Sequence, residues 1–277
     1  MTEQNCLNLC EILPYLKKKR HNLAEIITDA CKLAQYDSIE RIYMGSSFCG
    51  KYFLAQSDQS IKELTAYAEK AQVPITLVIP TFSQGDLDHG KRKISHILEL
   101  AKDHIDELTV NDYGMLACLK KEYQKPFNIG RLFMKDYRDP RYQEYFEMSW
   151  KPRMLTDYFK RILTEYEIKS CELDLTHKIN DFSEFPSDVA LGIHIPFCYQ
   201  TMGRICEYAS ITKEIPEKYR ANAPCEQNCT ESLVKYSVSD GNVEYVRFGR
   251  TVYFQHLGYE IKSSGEVRQI YFPLDLQ

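Results

Sequence analysis

Four cysteines, Cys198, Cys206, Cys225 and Cys229, stand within one stretch of the chain. Only Glu226, Gln227 and Asn228 separate the last two, so both thiolates can reach one ion or cluster. Between Cys206 and Cys225 runs an insert with Pro216 and several charges, the composition of a surface loop whose ends must be tied. A metal centre does that in a reducing compartment, where a disulfide would not persist. The competing explanation is a set of unrelated buried thiols, since free cysteine is among the most buried residue types. Their density beside Pro and Asn favours the metal. Cys6-x3-Cys10 has no such surroundings. Its spacing is about one helical turn, so it reads as a packing pair on a helix face.

These thiols need elements to position them. Short apolar runs at 39–44, 74–79, 107–110, 128–133, 170–175 and 189–195 have strand length. Helical periodicity falls between them, at 60–71, 91–104, up to Tyr123 and at 153–167. The basic run Lys17-Lys18-Lys19-Arg20-His21 reads as the solvated start of a further amphipathic helix. Such alternation predicts parallel β/α architecture, either a doubly wound sheet or a closed barrel. No GxGxxG follows the first strand, which favours a barrel-like, TIM-barrel-like fold. A hairpin of 243–248 and 251–254 around Gly249-Arg250 closes the chain. The expected organisation is a barrel-like domain over 1–235 and a C-terminal β-hairpin within 236–277, packed on it.

Chemistry in such folds gathers beyond the C-terminal ends of the strands. Cys49, Ser83, Gln84, Asn111, Asp112, Lys135, Thr176, His177 and Cys198 all fall at strand ends. Glu172 and Asp174 share one strand face. An inward carboxylate needs a partner, and Arg131 on the neighbouring strand supplies one. The expectation is a pocket at the barrel mouth with Glu172, His194 and Asp112 as catalytic groups and Asn111 and Arg131 as substrate contacts. A plain core ion pair and a hydrogen-bonded core histidine are the alternatives.

The bounds are ordinary. The chain has 277 residues, enough for one large α/β domain or two small ones. A net charge of −4 gives no general electrostatic grip on nucleic acid or an anionic membrane. No secretory leader and no spanning apolar run is evident, so a cytoplasmic location with reduced thiols is expected.

Gly203-Arg204-Ile205-Cys206, Asn222 and Cys225-x3-Cys229 together resemble the iron–sulfur signature of the collagenase-like peptidase family U-32. Here Ile205 stands between the arginine and the cysteine. Val110-Asn111-Asp112-Tyr113-Gly114 resembles that family's Asn-Asp-x-Gly motif. Ile42-Tyr43-Met44-Gly45 leading to Phe48-Cys49 is similar to the first strand and early cysteine of the UbiV-type iron–sulfur proteins of oxygen-independent ubiquinone synthesis. Arg138-Asp139-Pro140-Arg141 has no place in that pattern. The resemblance implies a barrel-like fold and a four-iron four-sulfur cluster on Cys49, Cys206, Cys225 and Cys229, with Cys198 beside it or as an alternative ligand. It also implies oxygen-independent hydroxylation of a quinone precursor or a transfer-RNA uridine, with a related partner subunit. Two other functions stay open: a collagenase-like peptidase, although no Ser/His/Asp or HExxH is present, and a non-catalytic module stapled by zinc or a cluster.

Overall fold

A computed structural model describes residues 3–20, 22–134, 149–176, 178–220, 223–238, 243–256 and 258–276. The chain starts with β1 (Glu3–Asn8), α1 (Leu13–Lys19), α2 (Leu23–Ala34) and β2 (Arg41–Gly45). Then come α3 (Gly50–Ala55), α4 (Asp58–Ala71), β3 (Ile75–Ile79), α5 (Leu87–Ala101), β4 (Ile105–Val110) and α6 (Tyr113–Glu122). β5 (Phe127–Ile129), β6 (Ser149–Trp150), α7 (Asp157–Glu165), β7 (Ser170–Asp174), β8 (Ile179–Asp181) and β9 (Ala190–Ile195) follow. The last part is β10 (Phe197–Met202), β11 (Val234–Val238), β12 (Val243–Phe248), β13 (Thr251–Gln255), β14 (Glu260–Lys262) and β15 (Val267–Tyr271).

Eight parallel strands close into a barrel in the order β1-β15-β9-β7-β5-β4-β3-β2. Helices surround it, as in a TIM barrel. Local signals start the helices. Asn22, Ser57, Asp112 and Thr156 each accept a backbone N–H at the N-terminus of α2, α4, α6 and α7. Leu23, Ile26, Ile27 and Ala30 recur at helical spacing and bury one face of α2. No helix among the described residues is long and apolar enough to cross a membrane.

All six expected strands are in the barrel. The two that the pattern missed are β1 and β15, at the ends of the chain. Their inward positions carry polar groups, Asn8 and Arg268, so neither reads as an apolar run. Cys6 accordingly lies on a strand rather than a helix, and Cys10 just beyond its end. Both thiols are packed inside the barrel with Tyr43, Val78 and Ile270. The fourth strand is shorter than expected and stops at Ile129; Arg131 stands on the 3-10 turn Arg131–Phe133 that follows. The basic run ends α1 rather than beginning α2, and Lys17, Lys18 and Arg20 are held by Glu63, Glu231 and Asp29. Lys135, Arg138, Arg141, His177 and Asn222 lie outside the described residues.

Strand side chains alternate between two environments. Leu7, Ile42, Leu77, Leu108, Ile129, Leu173 and Ile193 face the helices and join the main core. The barrel interior is largely polar, with Asn8, Thr76, Glu107, Thr109, Asn128, Glu172, Asp174, His194 and Arg268 all buried. It is also full. A Cβ on Gly192 would lie 2.9 Å from Ile270 Cδ1 and 3.2 Å from Glu172 Cγ.

Beyond the mouth lies an antiparallel sheet, β10-β13-β12-β11. Its β12–β13 hairpin pairs Phe248 with Thr251 across the expected two-residue turn, where Gly249 takes φ +57°. Tyr253 from this sheet packs its ring 6.1 Å from that of Phe48, at the end of β2. The segment 236–277 therefore contributes more than a hairpin. A boundary at 235 falls inside β11, and β15 from the same segment pairs with both β1 and β9.

Candidate functional site

Cys49 is placed by the ends of β1 and β2. β2 stops at Gly45, whose φ is +108° and whose Cβ, if present, would lie 2.3 Å from the Val78 carbonyl oxygen. Only glycine fits that turn. The next residues fold over the Glu11 carboxylate, which accepts hydrogen bonds from the Ser46 hydroxyl, the Phe48 N–H at 2.8 Å and the Cys49 N–H at 3.1 Å. Burial pushes the Glu11 carboxyl up from its ordinary range, against the pull of these donors. Cys49 then caps α3, its Sγ accepting from the Tyr52 N–H at 3.4 Å.

The other thiols come from the long insert after β9. Cys206 precedes the 3-10 turn Tyr208–Ser210, and Cys225 and Cys229 flank the start of the 3-10 turn Asn228–Thr230. Cys49, Cys206, Cys225 and Cys229 line one cavity of about 30 Å³, walled by Glu11, Tyr52 and the β12–β13 turn. All four are half-buried, unlike Cys6, Cys10, Cys171 and Cys198, which are buried. Cys198 turns elsewhere and donates to the Leu175 carbonyl at 2.9 Å. Burial first, then the neighbouring Cys49, Cys225 and Cys206 thiols, push Cys229 up to about 12. Burial pushes Cys49 up to about 11, the Tyr52 N–H opposing it. Soft sulfur donors in such a set suit zinc or an iron–sulfur cluster. Among the described residues, no three His, Cys, Asp or Glu side chains are gathered as ligands of one metal ion.

Under the mouth sits Arg131, 1% exposed. Its Nε donates to Asp174 Oδ2 at 3.0 Å, and a terminal nitrogen bonds Oδ1 as well. Its guanidinium lies 5.1 Å from the Phe48 ring centroid and 5.5 Å from that of Tyr199. Tyr199 closes the unit, its N–H donating to Asp174 at 3.0 Å and its hydroxyl to the Arg131 carbonyl at 3.2 Å. Arg131 thus partners Asp174 and not Glu172.

Glu172 points into the barrel. It accepts from the Thr109 hydroxyl at 2.6 Å and meets His194 Nε2 at 3.0 Å. Asn8 Nδ2 lies 3.5 Å from His194 Nδ1. Asn8 Oδ1 is engaged by the Cys10 N–H at 2.9 Å, which fixes the amide with Nδ2 towards the ring. His194 therefore accepts at Nδ1 and donates from Nε2. Burial, and then Arg131, hold the imidazole well below its ordinary range. Burial pushes Glu172 up to about 7. The pair is neutral histidine beside a carboxyl that shares protons near neutrality, not a charged ion pair.

That assignment has a measurable sign. A histidine depressed in the folded state takes up a proton on unfolding below about 6.5, so its contribution to stability is lost as pH falls. Glu172 is raised, so its contribution is lost as pH rises from 4.5 through about 7. Between 4.5 and 6.5 the two offset each other. In His194→Gln only the Glu172 slope remains. The variant is expected to gain on the wild type by about 1.4 kcal/mol per pH unit below 6.5 in denaturant unfolding. A variant that only keeps pace with the wild type over that range would mean that His194 is not held neutral in the fold.

Of the remaining expected site residues, Asn111 braces two loops, donating to the Ile79 carbonyl at 3.1 Å and accepting from the Leu132 N–H at 3.2 Å. Asp112 caps α6 through the Met115 N–H at 2.7 Å. Asn111, Arg131, Glu172 and His194 are all buried, beneath the mouth rather than open to it. At the opposite end, Arg268 grips Glu107 with two hydrogen bonds at 2.8 and 3.0 Å. Burial opposes ionisation there, but Arg268 and Arg41 outweigh it and hold Glu107 below its ordinary range. Glu11, Tyr199 and Tyr253 have no motif to announce them; only the packing reveals their roles.

These features define an α/β protein of TIM-barrel-like fold with a four-thiol cavity at its C-terminal mouth. No family model matches the chain, and no curated protein or solved structure matches it.

Proposed function

We propose that this chain is an iron–sulfur protein of oxygen-independent hydroxylation, with Cys49, Cys206, Cys225 and Cys229 as ligands of a four-iron four-sulfur cluster. The observation that carries this reading is the convergence of four half-buried thiols, one from the loop after β2 and three from the long insert after β9, on one cavity at the C-terminal mouth. That is the end at which barrels of this kind keep their chemistry. The thiol set also bears on the choice of centre. A single zinc ion draws its sulfurs in to about 2.3 Å from one point. A four-iron cube takes one thiolate on each iron and spaces them more widely.

Such a cluster, when bound, supplies electrons one at a time. The chain does the rest. Glu11 orders the loop that carries Cys49. Tyr52 and Phe248 wall the thiols from solvent, and Arg250 adds positive charge beside Cys49. The substrate is a quinone precursor or a transfer-RNA uridine, and a related subunit shares the work. Proteolysis is the weaker reading. It needs an activated nucleophile or a water-bearing metal with an open position, and four thiolates on one centre leave no such position.

The test is purification without oxygen, followed by metal analysis and a visible spectrum. A brown protein with about four irons per chain, bleached by a reductant, is expected. A colourless protein with one zinc would reduce the site to a staple. In cells lacking the gene, grown anaerobically, hydroxylated quinone or transfer RNA should fall. Gelatin or casein cleavage that Cys225→Ala abolishes, with hydroxylation in the cells unchanged, would make the chain a peptidase.

A further inference from the structure

A second cavity, of about 40 Å³, opens against the same thiols. Cys49, Cys206 and Cys225 form one side, and Lys51, Arg204, Arg220 and Arg250 reach it from three separate segments. No carboxylate among the described residues lines it. Among the described residues only Lys51 has an acidic partner, Asp86 at 2.8 Å. Arg220 donates to the Pro216 carbonyl at 3.0 Å, and Arg250 bonds the Gly203 carbonyl, so neither is neutralised by a counter-charge.

With Lys51 paired to Asp86, three guanidiniums remain around one small space, and they repel one another unless an anion enters. Their exposure divides the work. Lys51 and Arg250 are half-buried, next to the thiols, where they offset the negative charge of a thiolate-bound centre. Arg204 and Arg220 are exposed, at the opening. A charge bound at the thiols does not account for two arginines exposed at the solvent edge. Guanidinium forks there match the paired oxygens of a carboxylate or phosphate.

We propose that the mouth of this cavity binds an oxyanion group, carboxylate or phosphate, of the molecule acted on at the cysteine centre, with Arg204 and Arg220 as its recognition pair. This rests on the cysteine-centre reading for the act that follows binding, but not for the binding itself.

The test is calorimetric titration of anaerobically purified protein with inorganic phosphate and, separately, with acetate, alongside iron analysis. Saturable binding at one site is expected. The double variant Arg204→Gln/Arg220→Gln should weaken it at least tenfold with iron per chain unchanged. The tighter of the two probes names the source of the oxyanion. Absence of saturable binding by either probe overturns the proposal. So does a double variant that binds as tightly as wild type, including one that loses iron, which would assign the arginines to the charge of the centre alone. Arginine-dependent phosphate binding in a chain without iron would sink the iron–sulfur reading and leave the anion site standing.

Discussion

Replacing Arg131 with methionine is expected to destabilise the protein by about 3–5 kcal/mol. The substitution keeps an unbranched apolar stem, so the loss measures the guanidinium. Asp174 would remain fully buried without the Arg131 guanidinium. The Phe197 carbonyl, which accepts from Arg131 at 3.3 Å, would lose a donor too. The cost should show as an earlier midpoint in denaturant unfolding at neutral pH. Arg131→Met/Asp174→Leu should recover much of it, because two apolar groups leave no buried charge behind. A single-variant loss under about 1 kcal/mol would mean that water or another cation reaches Asp174, and that the mouth is not plugged as described.

The second large effect concerns the thiols. Cys49→Ala, Cys206→Ala, Cys225→Ala and Cys229→Ala should each cut iron from about four per chain to roughly one or less, with the brown colour. Cys6→Ala and Cys10→Ala should keep both, since these thiols pack inside the barrel with Tyr43, Val78 and Ile270. Cys198→Ala should also keep both, because its thiol is committed to the Leu175 carbonyl. Iron retained in Cys49→Ala and lost in Cys198→Ala would exchange the two as ligands. Iron and colour retained in all four variants would end the cluster reading.

Much of this architecture is legible in the chain itself. Apolar runs of strand length, spaced by amphipathic helical segments, specify a parallel α/β fold, because each strand must bury an apolar face under a helix. Capping residues such as Ser57 and Thr156 mark helix starts locally. Gly249-Arg250 marks the hairpin turn. Cys225-x3-Cys229 marks a place where two thiols can act together.

The tertiary structure decided the rest, for three physical reasons. Barrel closure depends on β1 and β15, whose inward Asn8 and Arg268 defeat a pattern based on hydrophobicity. Charge pairing is a matter of distance across the barrel: Arg131 meets Asp174 while Glu172 meets His194, although spacing along the chain suggested neither choice over the other. The meeting of Cys49 with Cys206, Cys225 and Cys229 spans most of the chain. It depends on Glu11, which lies at a strand end without any motif and holds the Cys49 loop through backbone N–H groups that no side-chain pattern encodes.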